Sequence, residues 1–521
     1  MHADLPLSMA DDLETNAQWH GNELAYIEGG RSISHGQLLE RGRQLGSAMY
    51  KAGLRHQDRV GILAMNCIEY GEVIAAAQYA GYVYAPVNFR LAAPEIEYIV
   101  NDSQPRILFF EARYLPMLEE LRARLSSVET FVCIGSSADW AGDYEAFLLQ
   151  GDVEGPPLRS REEDIFCLIY TSGTTGRPKG CIWGQREFRK TAAMCASNLY
   201  LQQPDRIMLV MPLFHKGGLG MSQAQLAVGG TCCLYQEFDP GAMLDAIQQD
   251  KLSVVYLAPT MVQMLLEEPG IADTDLSSVR ALLYSAAPMP LPVLKQALER
   301  FPGCDFTNLY GQSEICCFGL TPMQHQPYGT EREQHRLMSV GKPNNNNFQI
   351  RLVDDDGNDC PPNVAGEIVA RGGAMFRGYW NNHPASLETL RDGWVHSGDI
   401  GKVDEDGFLY LVDRKKDVII SGGENIYSRE VEEAVLTHPA VSECAVIGLP
   451  DPKWGENVCA VVTLKRDQSV DEQQLIEHVR TQIASYKKPK QVVVVDELPK
   501  LVTGKVNKIE LRNRFAAPPQ T

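Results

Sequence analysis

Short apolar runs separated by helical repeats make up most of the first 300 residues. The segments 59–65, 106–110, 131–134, 165–170, 207–211 and 252–257 are mostly apolar over a few residues, as expected of strands buried on both faces. Helical spacing fills the gaps. Ser34-His-Gly-Gln37 has the pattern of a capping box, Leu38, Gly42, Leu45 and Met49 follow on one face, and Gly53 fits the C-terminal cap. Pro292 opens another helix that turns Val293, Leu294, Ala297, Leu298 and Phe301 inward. The most apolar helical stretch, 73–84, contains Gln78 and Gly81 and is too short for a bilayer, so it predicts a core helix. Strands alternating with helices predict parallel sheets and an α/β fold.

From about residue 349 the pattern changes to shorter strands and turns at 348–353, 366–370 and 408–412. The Asn344–Asn347 run suits a loop. A charged stretch, Asp413-Arg414-Lys415-Lys416-Asp417, then marks a boundary. Beyond it the order is strand, helix, strand, strand, helix, strand (418–420, 429–436, 443–449, 458–465, 471–485, 491–497), a small α+β unit able to bury its own core. These patterns predict a large N-terminal region (1–413), a linker (414–417) and a C-terminal domain (418–521). There is no internal repeat.

Charge and composition remove several classes. A net charge of −19 argues against a nucleic-acid or anionic-membrane surface. The 13 cysteines include no Cys-x-x-Cys and the 11 histidines no His-x3-His, which points to free thiols in a reducing compartment and away from zinc. The start, Met-His-Ala-Asp-Leu-Pro-Leu, has neither a basic nor an apolar segment of a signal peptide, and a cytoplasmic location is expected. Residues 487–521 carry eight Lys/Arg against three Asp/Glu, either a solvated face or a surface for an anionic ligand.

The strand-like run Ile165-Phe-Cys-Leu-Ile-Tyr170 leads into Thr171-Ser-Gly-Thr-Thr-Gly-Arg-Pro-Lys179-Gly180, with three glycines, four hydroxyls and two cations. A strand followed by such a loop presents N–H and hydroxyl groups to a phosphate chain, and glycine lets backbone approach a ligand. The spacing is not that of the common ATPase P-loop: Gly173 and Gly176 are too close together, Pro178 precedes Lys179, and Gly180 stands where Ser/Thr is required. No Gly-x-Gly-x-x-Gly follows a strand either.

The loop resembles the signature of the adenylate-forming enzymes: acyl-CoA synthetases, luciferases and peptide-synthetase adenylation domains. Further motifs match in order. They are Met211-Pro-Leu-Phe-His215, Ser285-Ala-Ala-Pro-Met-Pro290, Asn308-Leu-Tyr-Gly-Gln-Ser-Glu314, Gly393-Trp-Val-His-Ser-Gly-Asp399, Arg414, Ser421-Gly-Gly-Glu-Asn425 and Pro499-Lys-Leu-Val-Thr-Gly-Lys505. The resemblance covers about residues 12–516. It implies a multi-subdomain N-terminal region with parallel-rich sheets and a distorted barrel, followed by a small mobile C-terminal domain.

By resemblance, Thr171, Ser172, Gly173, Thr174, Thr175 and Lys179 would hold the β and γ phosphates of ATP. Glu314 would be the Mg2+ ligand with Thr171 assisting, Tyr310 would stack on adenine and Asn308 would bond its edge. Ala286, Ala287, Pro288, Gly311, Gln312 and Ser313 would complete the nucleotide site. Asp399 would bind both ribose hydroxyls, its two acceptors matching two donors, with Arg414 beside it. Lys505 would bridge the substrate carboxylate and the α-phosphate as charge shifts between them. Lys416 would be the hinge, and Ser421, Gly422, Gly423 and Glu424 would line the pantetheine tunnel of CoA. His215 would sit near the acyl carboxylate, and Gly217, Gly218, Leu219, Ser285 and Cys316 would line the acyl pocket. The family's Thr-His pair is replaced by Ile182-Trp183-Gly184, and its usual Pro-Gly turn by Asn344–Asn347. Trp183 is the departure expected to alter the acyl pocket.

The resemblance implies an acid:CoA ligase that uses ATP, Mg2+ and CoA on a medium-chain fatty or aryl acid. It would have no nucleic-acid partner and no membrane span, and a homodimer is the assembly to consider. Two rivals stay open: adenylation followed by transfer to a carrier-protein thiol, and a catalytically inactive nucleotide-binding regulator. Intact Lys505, Glu314 and Asp399 argue against the latter.

Overall fold

Two sheets, seven and eight strands wide, dominate the computed structural model, which describes residues 7–171, 177–285, 289–315, 318–342, 348–422, 424–501 and 505–516. The chain divides into two compact units. The first comprises 1–171, 178–350 and 370–395; the second comprises 172–177, 351–369 and 396–521.

In the first unit, the eight-stranded sheet has the order Phe318–Leu320, Asp305–Tyr310, Ala281–Ser285, Val254–Leu257, Arg206–Leu209, Thr231–Leu234, Leu24–Glu28, Arg31–Ser34. The seven-stranded sheet runs Gly142–Asp143, Thr130–Ile134, Ile107–Glu111, Arg59–Leu63, Val83–Pro86, Ile165–Tyr170, Gly180–Gly184. All internal pairings are parallel. The antiparallel ones fall at the edges, where Phe318–Leu320, Arg31–Ser34 and Gly180–Gly184 join. The inner strands are apolar almost throughout because helices cover both faces. Ile107, Leu108, Phe109 and Phe110, for example, are all buried.

The capping box holds, with Gln37 N–H donating to Ser34 Oγ at 3.2 Å and Ser34 N–H to Gln37 Oε1 at 2.8 Å. The helix read at 73–84 is instead Ile68–Ala80. Gly81 takes φ +74° and ends it, and Val83 and Tyr84 belong to the next strand. The apolar run spans both elements because both are buried, which periodicity alone does not separate. No helix among the described residues is long and apolar enough to cross a membrane.

In the second unit, residues 399–403 pair antiparallel with Leu409–Arg414, placing Asp399 opposite Arg414. The C-terminal sheet has the order Glu424–Ile426, Ile419–Ser421, Gly455–Leu464, Val441–Asp451, with Gln491–Val494 also on Gly455–Leu464. Val431, Val435, Leu475 and Val479 of two helices cover one face. Leu498 and Leu511 cover the other. Hairpin strand Glu424–Ile426 and helix Lys508–Phe515 had no apolar period to announce them. Half of the eight basic residues in the C-terminal stretch form ion pairs within the unit: Lys487 with Glu430, Lys500 with Glu443, Lys508 with Glu432 and Arg512 with Asp417.

Candidate active site

The motifs of the first unit lie where parallel strands of its two sheets end, the edge at which α/β proteins bind ligands. Strand Ile165–Tyr170 delivers Thr171, whose N–H donates to the Lys179 carbonyl at 3.0 Å, while Lys179 N–H reaches Thr171 Oγ1 at 3.4 Å. These bonds close the base of the glycine-rich loop. Ser172, Gly173, Thr174 and Thr175 lie outside the described residues, as do Ala286, Ala287, Pro288, Cys316 and Gly423.

Strand Asp305–Tyr310 carries Asn308 and Tyr310, both buried, then Gly311, Gln312, Ser313 and Glu314. Asn308 Nδ2 donates to the Ser339 carbonyl at 3.3 Å, and Tyr310 packs edge-on to Phe318. The segment 375–380 is threaded between strand Gly180–Gly184 and residues 314–315. Phe376 N–H donates to the Glu314 carbonyl at 3.0 Å, Arg377 N–H to Ile182 at 2.8 Å, and Trp380 N–H to Gly180 at 2.8 Å. This places the Tyr379 hydroxyl 2.7 Å from Glu314 Oε1, and the Lys179 ammonium 4.4 Å from the centre of the Tyr379 ring. Burial, reinforced by the Glu314 charge, pushes the Tyr379 phenol far up, so it remains a neutral donor that fixes the carboxylate. Trp183 Nε1 donates to the Ser313 carbonyl at 2.8 Å.

The loop after strand Arg206–Leu209 is held by a buried amide. Asn66 Nδ2 donates to the carbonyls of Leu209 and Met211 at 3.1 and 3.2 Å, and its Oδ1 accepts from Leu213 N–H at 2.9 Å. His215 is thereby set as N-cap of helix Lys216–Leu226, with Nδ1 accepting from Gly217 N–H at 3.2 Å. Gly218 and Leu219 are buried in its first turn. Gly217 faces Tyr256, whose hydroxyl lies 2.7 Å from Ser285 Oγ; a Cβ at Gly217 would stand 2.8 Å from that hydroxyl.

In the second unit, Arg414 Nε donates to Asp399 Oδ1 at 2.7 Å, and Asp399 N–H to Ser397 Oγ at 3.0 Å. Lys505 is near both charges: partial desolvation and the Arg414 guanidinium lower its pKa, and Asp399 opposes them. Lys416 lies in the short turn Lys415–Asp417, where desolvation lowers its pKa, Asp417 opposes, and Arg414, Arg512 and Lys508 add to the fall. Ser421 and Glu424 face each other across a hairpin turned by Gly422 at φ +62°. A Cβ at Gly422 would meet the Trp454 ring at 2.7 Å.

Tyr379, Tyr256 and Asn66 escaped the sequence reading. Each works through a partner 29 to 147 residues away, and no local pattern links them to it.

Among the described residues no group of three or more His, Cys, Asp or Glu could hold a metal unaided. One fixed carboxylate with a nearby hydroxyl fits Mg2+, which keeps waters and substrate phosphates as its other ligands. An anchored carboxylate, a lysine and the base of a glycine-rich loop form a place where a polyphosphate and its cation can be received.

Residues 13–380 match the family model described as AMP-binding enzyme, and residues 430–505 match AMP-binding enzyme C-terminal domain. Over 495 residues the chain is 37% identical to feruloyl-CoA synthase from Amycolatopsis, covering 94% of this chain and 96% of that one. It is 34% identical to indoleacetate–CoA ligase from Aromatoleum aromaticum, covering 93% and 94%. The crystal structure of the anthranilate CoA ligase AuaEII in complex with anthranoyl-AMP superposes with a TM-score of 0.87 at 29% identity, covering 98% of both chains.

Proposed function

Because the chain belongs to the AMP-binding enzyme family, we propose that it is an acid:CoA ligase for aromatic carboxylic acids. It is an acyl- or aryl-CoA ligase that works through an acyl-adenylate and uses ATP, Mg2+ and CoA. The acid and ATP give acyl-AMP and pyrophosphate; CoA then gives acyl-CoA and AMP. The observation that carries this reading is the Glu314 carboxylate held by Tyr379 beside Lys179 and the base of the loop. The names of the three relatives support the aromatic class.

The difficulty of the first step is electrostatic, an anion approaching a polyanion. Thr171, the loop Ser172–Thr175 and Lys179 cradle the outgoing phosphates. Glu314, with Thr171, would hold Mg2+, which would supply positive charge against the phosphates. Asn308 and Tyr310, with Ala286, Ala287, Pro288, Gly311, Gln312 and Ser313, receive the adenosine. Asp399 takes the ribose and Arg414 holds it in register. Lys505 neutralises the charge exchanged between carboxylate and α-phosphate. His215, Gly217, Gly218, Leu219, Ser285 and Cys316 orient the acid. For the second step Lys416 is the hinge between domains 1–413 and 418–521, and Ser421, Gly422, Gly423 and Glu424 admit the CoA arm. The location we propose is cytoplasmic.

The test is pyrophosphate release with ATP and Mg2+ over a panel of aryl and fatty acids, with and without CoA. Turnover that requires CoA and favours aryl acids is the expected result. Release of one pyrophosphate per site with no effect of CoA would move the acceptor to a carrier-protein thiol. No release with any acid would refute the ligase reading.

A further inference from the structure

Lys216 breaks three rules of local chemistry at once. It is the first residue of helix Lys216–Leu226, where the helix dipole disfavours a cation. It is buried, with 8% of its surface exposed, whereas lysines ordinarily carry the ammonium out to water. It also pairs with no carboxylate and no other acceptor among the described residues. Its ammonium rests on two aromatic faces, 4.2 Å from the centre of the Trp183 ring and 4.6 Å from that of Phe188. The buried Cys167 thiol lies close enough for the lysine's charge to counter part of the upward push of burial. Ring faces offset part of the desolvation of a cation, but a buried charge without a counter-ion remains costly.

Space remains beside this charge. Gly220, one turn on, is buried, yet a Cβ built there would meet a single neighbour within 4 Å, the Lys216 ammonium at 3.9 Å. Elsewhere in the same turn there is no room: a Cβ at Gly218 would overlap the Pro212 carbonyl and one at Gly217 would crowd Tyr256. The unfilled volume is therefore specific to the side of the helix that carries the ammonium. The site also adjoins the active-site motifs, because Trp183, whose face holds the ammonium, donates its indole N–H to the carbonyl of Ser313, next to Glu314. Residues that break local rules without compensation inside the protein tend to be functional, and the missing partner here is an anion.

We propose that Lys216 is a specificity-determining residue whose ammonium pairs with a second carboxylate of the acid, distinct from the one that is activated. The ligase would thus prefer dicarboxylic acids to monoacids of the same skeleton. The inference rests on the ligase reading for its context, and the experiment separates the two.

The measurement is kcat/KM for acyl-CoA formation with matched pairs: benzoate and terephthalate, phenylacetate and 4-carboxyphenylacetate, hexanoate and adipate, octanoate and suberate. In at least one pair the wild type should favour the diacid, and Lys216→Met should lower the diacid-to-monoacid ratio by about tenfold or more, mainly through KM. Lys216→Arg should retain more of the preference than Met. If Met at this position prevents folding, Lys216→Gln, which removes the charge and keeps a polar end, supplies the ratio. A wild type that favours the monoacid in every pair, or a ratio that is the same with and without Lys216, would overturn the proposal; the latter is also the result expected of a lysine that merely packs on Trp183. If no acid supports turnover, the ligase reading fails, and the lysine is judged by thermal shift. Stabilisation of the wild type by one of the diacids that Lys216→Met loses sustains the site, and its absence overturns it.

Discussion

Replacing Tyr379 by Phe removes one atom and tests how Glu314 is held. The lost interaction is a hydrogen bond of 2.7 Å from a neutral phenol to a carboxylate. Hydrogen bonds to charged groups are worth about 1.5–3 kcal/mol net. Tyr379 is only 6% exposed, so water replaces its hydroxyl poorly. Glu314 is only partly buried, so water can solvate the released carboxylate, and the lower end of the range applies, about 1.5 kcal/mol. The Phe ring preserves the surface beneath Lys179 and the packing against Phe376. The expected defect is therefore in the positioning of the metal-binding carboxylate: the Mg2+ concentration that half-saturates pyrophosphate release rises about tenfold, and much of the lost rate returns at saturating Mg2+. The assay is the initial rate against free Mg2+ at saturating ATP and acid, with a thermal melt of both proteins alongside. An unchanged Mg2+ dependence would refute the reasoning, whatever the melt shows, because Tyr379 would then serve packing alone.

Lys505→Ala should slow adenylation by about 10²–10³-fold while leaving acyl transfer from preformed acyl-adenylate to CoA far less affected; measuring both half-reactions decides it, and equal losses would count against the assigned role. Gly217→Ala puts a methyl 2.8 Å from the Tyr256 hydroxyl, so kcat/KM for bulky aryl acids should fall relative to small acids, read across a size series. Acid should weaken the first unit through His325. Its Nδ1–H donates to the Thr321 carbonyl at 2.8 Å, its Nε2 accepts from the Tyr284 hydroxyl at 3.0 Å, and burial lowers its pKa to about 4. With an unfolded value near 6.5, the unfolded chain binds the extra proton in between, so this contribution, on the order of 3 kcal/mol, is complete above about pH 6.5 and is lost as pH falls towards 4. Urea midpoints at pH 7.5 and 5 should differ less in His325→Gln than in the wild type.

The amino-acid pattern alone was enough to predict the parallel sheets, because strands buried on both faces must be apolar along their whole length. It also determined the order of the motifs and the family they resemble, because residues 170–180, 308–314 and 499–505 are contiguous and their chemistry is local. It did not place the end of the helix before Gly81, where one apolar run serves two buried elements, or the hairpin and final helix of the second unit, which lack a period. The tertiary structure alone decided what surrounds the motif residues. Tyr379 reaches Glu314, Tyr256 reaches Ser285, and Trp183 and Phe188 cover Lys216 only because separate strands, helices and turns converge. Hydrogen bonds and ring contacts act over a few ångströms of space, and separation along the chain carries no information about them until the sheets have formed.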